Sequence, residues 1–348
     1  MAARRLSEGL TPRSRAARMP MRQREMVRRL GAMLALGVAA VTGVQMAIAQ
    51  PVAYESGEQV YAGVKSLPAE AVQIGRSRID VHFSDPHTPN HDAVMAWIRR
   101  SAAAQTAYFG RFPVRQLDLL VVSTEGEGVR GGITFGFDGS AIRVHVGRHA
   151  SVKQFNDDWI LVHEMVHAAL PNVPRRSLWV QEGQAVYVEP IARVQAGLLA
   201  PTEVWRWALL GMPKGEPREG DLGLDGTHSH DRIYWGGAEF WMLADLRIRQ
   251  RTHDRIGVQS ALRAINRESG GNTAEWSVEQ LMASGDRATG GHELSELYAS
   301  MKDRPTSLDL TTLFAQLGVS QNAGQVVFDD AAPLADIRRM ITAPMRRP

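Results

Sequence analysis

Ile160-Leu161-Val162-His163-Glu164-Met165-Val166-His167-Ala168-Ala169 is the stretch on which the reading of this chain turns. On a helix, residues four apart lie one above the other on the same face, so His163 and His167 present both imidazoles to one point. Glu164, next to the first histidine, projects to the side, where a carboxylate can take a proton from a water held at that point. The H-E-x-x-H pattern therefore puts two metal ligands and a general base on one helix. The flanks favour a buried helix: Trp159, Ile160, Leu161, Val162, Val166 and Leu170 are apolar, and neither Gly nor Pro interrupts residues 159–170. Pro171 ends the run, and Asn156 and Asp157 are the expected N-caps. Two solvent-facing histidines on an ordinary helix, the bland alternative, fit these flanks poorly.

A catalytic zinc takes three protein ligands and keeps a position open for water. Fifteen residues after His167, in Leu178-Trp179-Val180-Gln181-Glu182-Gly183-Gln184-Ala185-Val186-Tyr187, stands the natural third ligand, Glu182. Trp179 and Val186 share its helical face by spacing, and Gly183 and Ala185 are expected to keep this helix slim against the first. The absence of cysteine excludes a thiolate site, cysteine catalysis and a disulfide framework.

H-E-M-V-H followed by W-V-Q-E-G-Q-A-V-Y resembles the gluzincin metallopeptidases, the clan that includes the aminopeptidase N and glycyl aminopeptidase families. Ile233-Tyr234-Trp235-Gly236-Gly237-Ala238-Glu239 resembles their Y-x-x-G-A helix start, whose tyrosine steadies the tetrahedral intermediate; the resemblance gives Tyr234 that role. It covers roughly residues 130–250. The spacing from His167 to Glu182 is a few residues shorter than is usual there, and no clean counterpart appears of the G-x-M-E-N strand, whose glutamate holds a substrate's free amine. The resemblance implies an α+β fold: a zincin-like catalytic domain, with a small mixed sheet and an active-site helix, followed by an all-helical C-terminal part. It also implies one zinc ion per chain, a peptide or protein substrate, and a substrate-pairing edge strand at Gly131, Gly132 and Ile133. A plain hairpin with a loose loop stands as the alternative for that strand.

The rest of the chain supplies the setting. Residues 1–30 hold nine arginines against Glu8 and Glu25, so the net charge of +3 belongs to the leader and the remainder is acidic. Nucleic-acid binding is discounted on that ground. The basic stretch to Arg29, the apolar run from Leu30 to Val44 and Ala47-Ile48-Ala49 form the pattern of a secretory signal peptide, with cleavage near Ala49 and the start at Met1 or Met21. That predicts an exported, periplasmic or secreted protein with no stable membrane span after cleavage. The expected division is a leader over 1–49, a β-rich part over 50–175 ending in the zinc helix, and a mainly helical part over 176–348.

Between leader and motif, residues 50–78 show little pattern. Strands are expected at Ile79–Phe83 and Leu117–Val122, a helix over 91–109, and a hairpin of Ile133–Phe137 with Ala141–Val146 around Asp138-Gly139. His82, His87 and His91 straddle Pro86 and Pro89 and share no face. Glu125 and Glu127 are the carboxylates nearest the hairpin that a substrate amine could use, but they precede its glycines. A helix is expected over 202–211, then loop to residue 231. In that loop His228 and His230 form an H-x-H pair, read as loop polarity or as an acid–base helper. Gln181 or Glu189 is expected to orient the zinc histidines. The resulting reading is a peptidase with Glu164 as base and Tyr234 as oxyanion donor. A zinc-stabilised binding protein without activity, or a zinc hydrolase of another bond, are the alternatives.

Overall fold

The computed structural model describes residues 54–344. The expected leader and its cleavage point lie outside the described residues. Five strands form one sheet in the order β1-β2-β3-β5-β4: β1 (Ala69–Ile74), β2 (Ser77–Phe83), β3 (Gln116–Thr124), β4 (Val129–Phe135) and β5 (Ala141–Gly147). The three central strands are parallel to one another, and β1 and β4 run antiparallel at the two edges. Parallel neighbours need a crossover, and helix α2 (His91–Phe109) supplies it between β2 and β3.

The sheet is covered on both faces. On one, α2 and the motif helix bury Trp97, Ile98, Leu161 and Met165 against Ile79, Val81, Leu119 and Val144. On the other, α1 (Gly57–Ser66) lays Val60, Tyr61 and Val64 over Leu120 and Ala141. Strands buried on both sides read as continuous apolar runs, which is why β3 is conspicuous in sequence. Helix α1 and strand β1 are not: both fall in the segment where no pattern was visible. In β1 only Val72 is buried, so alternation never develops. In α1, Gly63 interrupts the helical signal because Tyr54 packs where its Cβ would stand, 2.6 Å away.

Helices α3 (Val152–Asp157) and α4 (Ile160–His167) follow, then α5 (Trp179–Gln195), α6 (Pro201–Gly215) and α7 (Gly237–Arg251). Helix α6 runs four residues past the expected 211, carrying Pro213 inside it. Arg232–Gly236 forms a π-turn leading into α7; such turns recur at functional sites. The C-terminal helices are α8 (Val258–Ser269), α9 (Val278–Thr289), α10 (Glu293–Met301), α11 (Leu310–Gln316) and α12 (Ala335–Ile341). One hairpin, β6 (Val319–Asn322) with β7 (Gln325–Phe328), interrupts them.

Helix α4 sits between two cores, and its periodicity shows how. Leu161, Met165 and Ala168 enter the sheet core. Val162, Val166, Ala169 and Leu170 enter the helical core beside Trp179, Val180 and Val188. The third stripe, at His163, Glu164 and His167, is what remains to face a cleft. No helix among the described residues is long and apolar enough to cross a membrane.

Candidate active site

Asp158 fixes the entry to α4. Its carboxylate accepts the Leu161 amide at 3.2 Å and the Trp97 indole N–H at 3.0 Å. Asn156 and Asp157, the expected caps, belong instead to the short helix α3. The start of α5 is pinned by a second half-buried carboxylate, Asp225, which accepts from Ser177 Oγ and Trp179 Nε1, both at 2.7 Å, and from the Tyr298 hydroxyl at 3.0 Å. The Asp225-Gly226-Thr227-His228 loop thereby anchors the helix that carries Glu182.

With both helices fixed, the donor atoms converge. His163 Nε2 lies 3.3 Å and His167 Nε2 3.4 Å from Glu182 Oε2. Zinc bonds of 2.0–2.1 Å in tetrahedral directions place ligand atoms about 3.3–3.4 Å apart, so the spacing fits a zinc ion. The donor set fits as well: two imidazoles and one carboxylate, with a fourth direction left for water or substrate. Among the described residues this is the one cluster of three such side chains. Burial works against the charge on both Glu182 and His167. Even so, the two histidines hold Glu182 well below the usual carboxylate range, and Glu182 and Glu164 hold His167 above its ordinary value.

The edge strand positions Glu164. Thr134 Oγ1 lies 2.7 Å from Glu164 Oε2 and 2.9 Å from its carbonyl oxygen, a donor to either. Two residues back on the same face, Gly132 leaves the room this needs: a Cβ there would stand 2.5 Å from Glu164 Cγ. A β-bulge between Val129 and Gly131 sets the register that aims both residues at α4. Sequence reading singled out Gly131, Gly132 and Ile133. Gly132 and Ile133 line the cleft, whereas Gly131 is not among its walls. Thr134 was missed, because a threonine in a strand carries no signal until its partner is known. Replacing Gly132 with alanine is expected to push the Glu164 carboxylate aside and lower kcat about a hundredfold, since a displacement near 1 Å costs that much. Zinc content, measured in parallel, should stay at the wild-type level.

Tyr234 lies across the cleft, its ring parallel to that of His163 within 10° at 6.3 Å between centroids. Burial, together with the charge of Glu182 beside it, pushes its phenol well above the ordinary value. It therefore stays protonated at neutral pH, with a hydroxyl proton available to donate. His230 stacks on its outer face at 4.3 Å, and His228 hydrogen-bonds the Asp225 carbonyl oxygen; neither joins the donor cluster.

Other expected partners are elsewhere. His82 is buried against Leu67 and Asp118, and His91 pairs with Glu70. Glu125 sits by Arg148 and Glu127 accepts from Gln154, outside the cleft. Glu189 pairs with Arg193 at 3.0 Å and Gln181 contacts Asn172, so neither is engaged with the histidines. Gly183 does keep α5 slim, but against α7: its Cβ would stand 2.2 Å from the Gly237 carbonyl carbon, so these two helices meet backbone to backbone.

No known family profile matches the chain, and no curated protein matches it. Among solved structures it is similar to an aminopeptidase N family protein from Idiomarina loihiensis, with a TM-score of 0.55 and 14% identity over 73% of this chain and 49% of that one. An M1 zinc metallopeptidase from Deinococcus radiodurans aligns with a TM-score of 0.43 and 13% identity, over 70% of this chain and 52% of that one. The chain thus spans about half the length of these structures. What it shares with the first of them is the fold, an α+β framework of a five-stranded sheet and many helices.

Proposed function

We propose that this chain is an exported zinc-dependent peptidase that cuts peptide bonds with a water activated by Glu164. The observation that carries the reading is the convergence of His163, His167 and Glu182 at 3.3–3.4 Å, with Glu164 held beside them by Thr134. His163, His167 and Glu182 would hold one zinc ion. When bound, zinc acidifies water and polarises a carbonyl. Glu164 takes the proton of the attacking water and passes it to the leaving amine. Tyr234 donates to the oxyanion that develops on the scissile carbonyl. The β4 edge, at Gly132 and Ile133, pairs with extended substrate backbone, which fixes the bond to be cut over Glu164. Export rests on the basic and apolar pattern of the leader.

Internal rather than amino-terminal attack is the mode we favour. Among the described residues lining the cleft, the carboxylates are Glu164 and Glu182. Both have work at the reaction centre, which leaves none to hold a substrate's free amine. A binding protein without activity would have no need of a base oriented by Thr134 and given room by Gly132.

Two measurements test this together: the metal content of the purified protein, and hydrolysis of a mixed peptide library with and without chelator. One zinc per chain and chelator-sensitive cuts inside the peptides are the expected result. Zinc without cleavage of any peptide would overturn the peptidase reading, and release of single amino-terminal residues would overturn the mode. Tyr234→Phe is expected to lower kcat by about a hundredfold or more with little change in KM, the cost of one lost oxyanion donor; unchanged kcat would return Tyr234 to a packing role.

A further inference from the structure

A second cavity, of about 360 Å³, adjoins the cleft, and His163 and Tyr234 line both. We infer that it is the specificity pocket of the site and takes a bulky apolar or aromatic side chain of the substrate, from a residue flanking the scissile bond. The inference rests on the peptidase reading above.

Three observations carry it. The first is place. The wall shared with the cleft contains a zinc-ligand candidate and the oxyanion donor, so a side chain leaving a peptide bond at the reaction centre needs to pass only Tyr234 to enter. The second is chemistry. Trp159, Trp205, Trp207 and Trp235 line the cavity with aliphatic side chains between them. Trp159 and Leu210 remain 45% and 48% exposed at its walls, an arrangement costly to leave facing water. The one carboxylate of the lining, Glu189, is already paired with Arg193, so a buried cationic side chain would find no free partner. The third is construction. A Cβ on Gly211 would stand 2.2 Å from the Trp235 ring, so this indole lies directly on the α6 backbone and forms a fixed wall. The volume is at the small end of ligand pockets, enough for one large side chain rather than a whole ligand.

The test uses the full zinc-loaded protein and quenched peptides that vary the two residues flanking the cut bond. At one of those positions the wild type is expected to prefer Phe, Trp or Leu over Ala by tenfold or more in kcat/KM, since each methylene in an apolar pocket is worth roughly 10–200-fold. Ala208 lines the cavity, and Ala208→Phe, which fills it, should lower that ratio at least tenfold. No preference at either position, or a preference untouched by Ala208→Phe, would overturn the inference. If Ala208→Phe fails to fold by circular dichroism, Leu210→Asp on the exposed wall should lower the same ratio.

A second readout does not need turnover. N-acetyl-phenylalanine amide is expected to change the tryptophan fluorescence saturably, at concentrations tenfold or more below those needed for N-acetyl-alanine amide. Ala208→Phe should weaken that response tenfold. Should the wild type cleave no peptide, the peptidase reading fails while this titration still decides the pocket. Absence of saturation would overturn the inference. So would displacement of the probe by laurate with no preference among amides, which would give the cavity to a lipid chain.

Discussion

Glu164→Gln is expected to bind one equivalent of zinc as the wild type does and to lose peptide hydrolysis by about three to four orders of magnitude, the upper range for removal of a positioned general base. The reasoning is local. The donor atoms offered to the metal belong to His163, His167 and Glu182, and none belongs to Glu164. An amide has the shape of the carboxylate, so its oxygen can still accept from Thr134 Oγ1, now 2.7 Å from Glu164 Oε2, and the side chain stays in place. What the amide lacks is the capacity to take a proton. The loss should therefore fall on kcat with KM and zinc content steady, the signature of an interaction needed only in the transition state. Thr134→Val separates positioning from proton transfer: a carboxylate without its donor keeps the chemistry and loses the aim, so a smaller fall is expected. Wild-type turnover by Glu164→Gln would sink the mechanism.

How far the sequence reached this site depends on what kind of signal each residue carries. His163, Glu164 and His167 are legible because helical spacing alone brings them together, and the apolar residues between them fall on two further stripes that enter two different cores. Glu182 is legible because a zinc site needs a third ligand and a helix follows at short range. Helix α2 and strand β3 show through because each buries a regular pattern. Thr134 and Asp225 were hidden for the opposite reason. Each acts on a partner more than 25 residues away in the chain, at Glu164 and at Ser177 and Trp179 respectively, and an isolated polar residue does not announce a distant contact. Asp225 in particular looks like an ordinary turn residue before glycine. The apolar cavity was hidden too, since its walls come from α4, α5, α6, the π-turn, α7 and α12 together, and separate tryptophans on amphipathic helices read as core.

Glu182→Ala is expected to lose high-affinity zinc and, with it, both activity and the stabilisation that zinc confers. Loss of a hydrogen-bond partner outside the ligand set already costs 10–100-fold in metal affinity; loss of a ligand should cost about a thousandfold or more. The remaining donors, His163 and His167, hold their rings at 85° to one another with centroids 4.8 Å apart, a pair that can still bind weakly but no longer closes a three-ligand site. The thermal consequence follows by mass action. Zinc present at about a thousand times its dissociation constant stabilises the folded wild type by about 4 kcal/mol. A thousandfold weaker site at the same zinc concentration retains only about 0.4 kcal/mol, a tenth of that. Wild type and variant should therefore melt at similar temperatures in chelator, and zinc should raise the melting temperature of the wild type alone. This pattern separates a ligand from a structural carboxylate. Removal of a merely structural Glu182 would lower the melting temperature equally with and without metal, and one tightly bound zinc in Glu182→Ala would take this residue out of the ligand set.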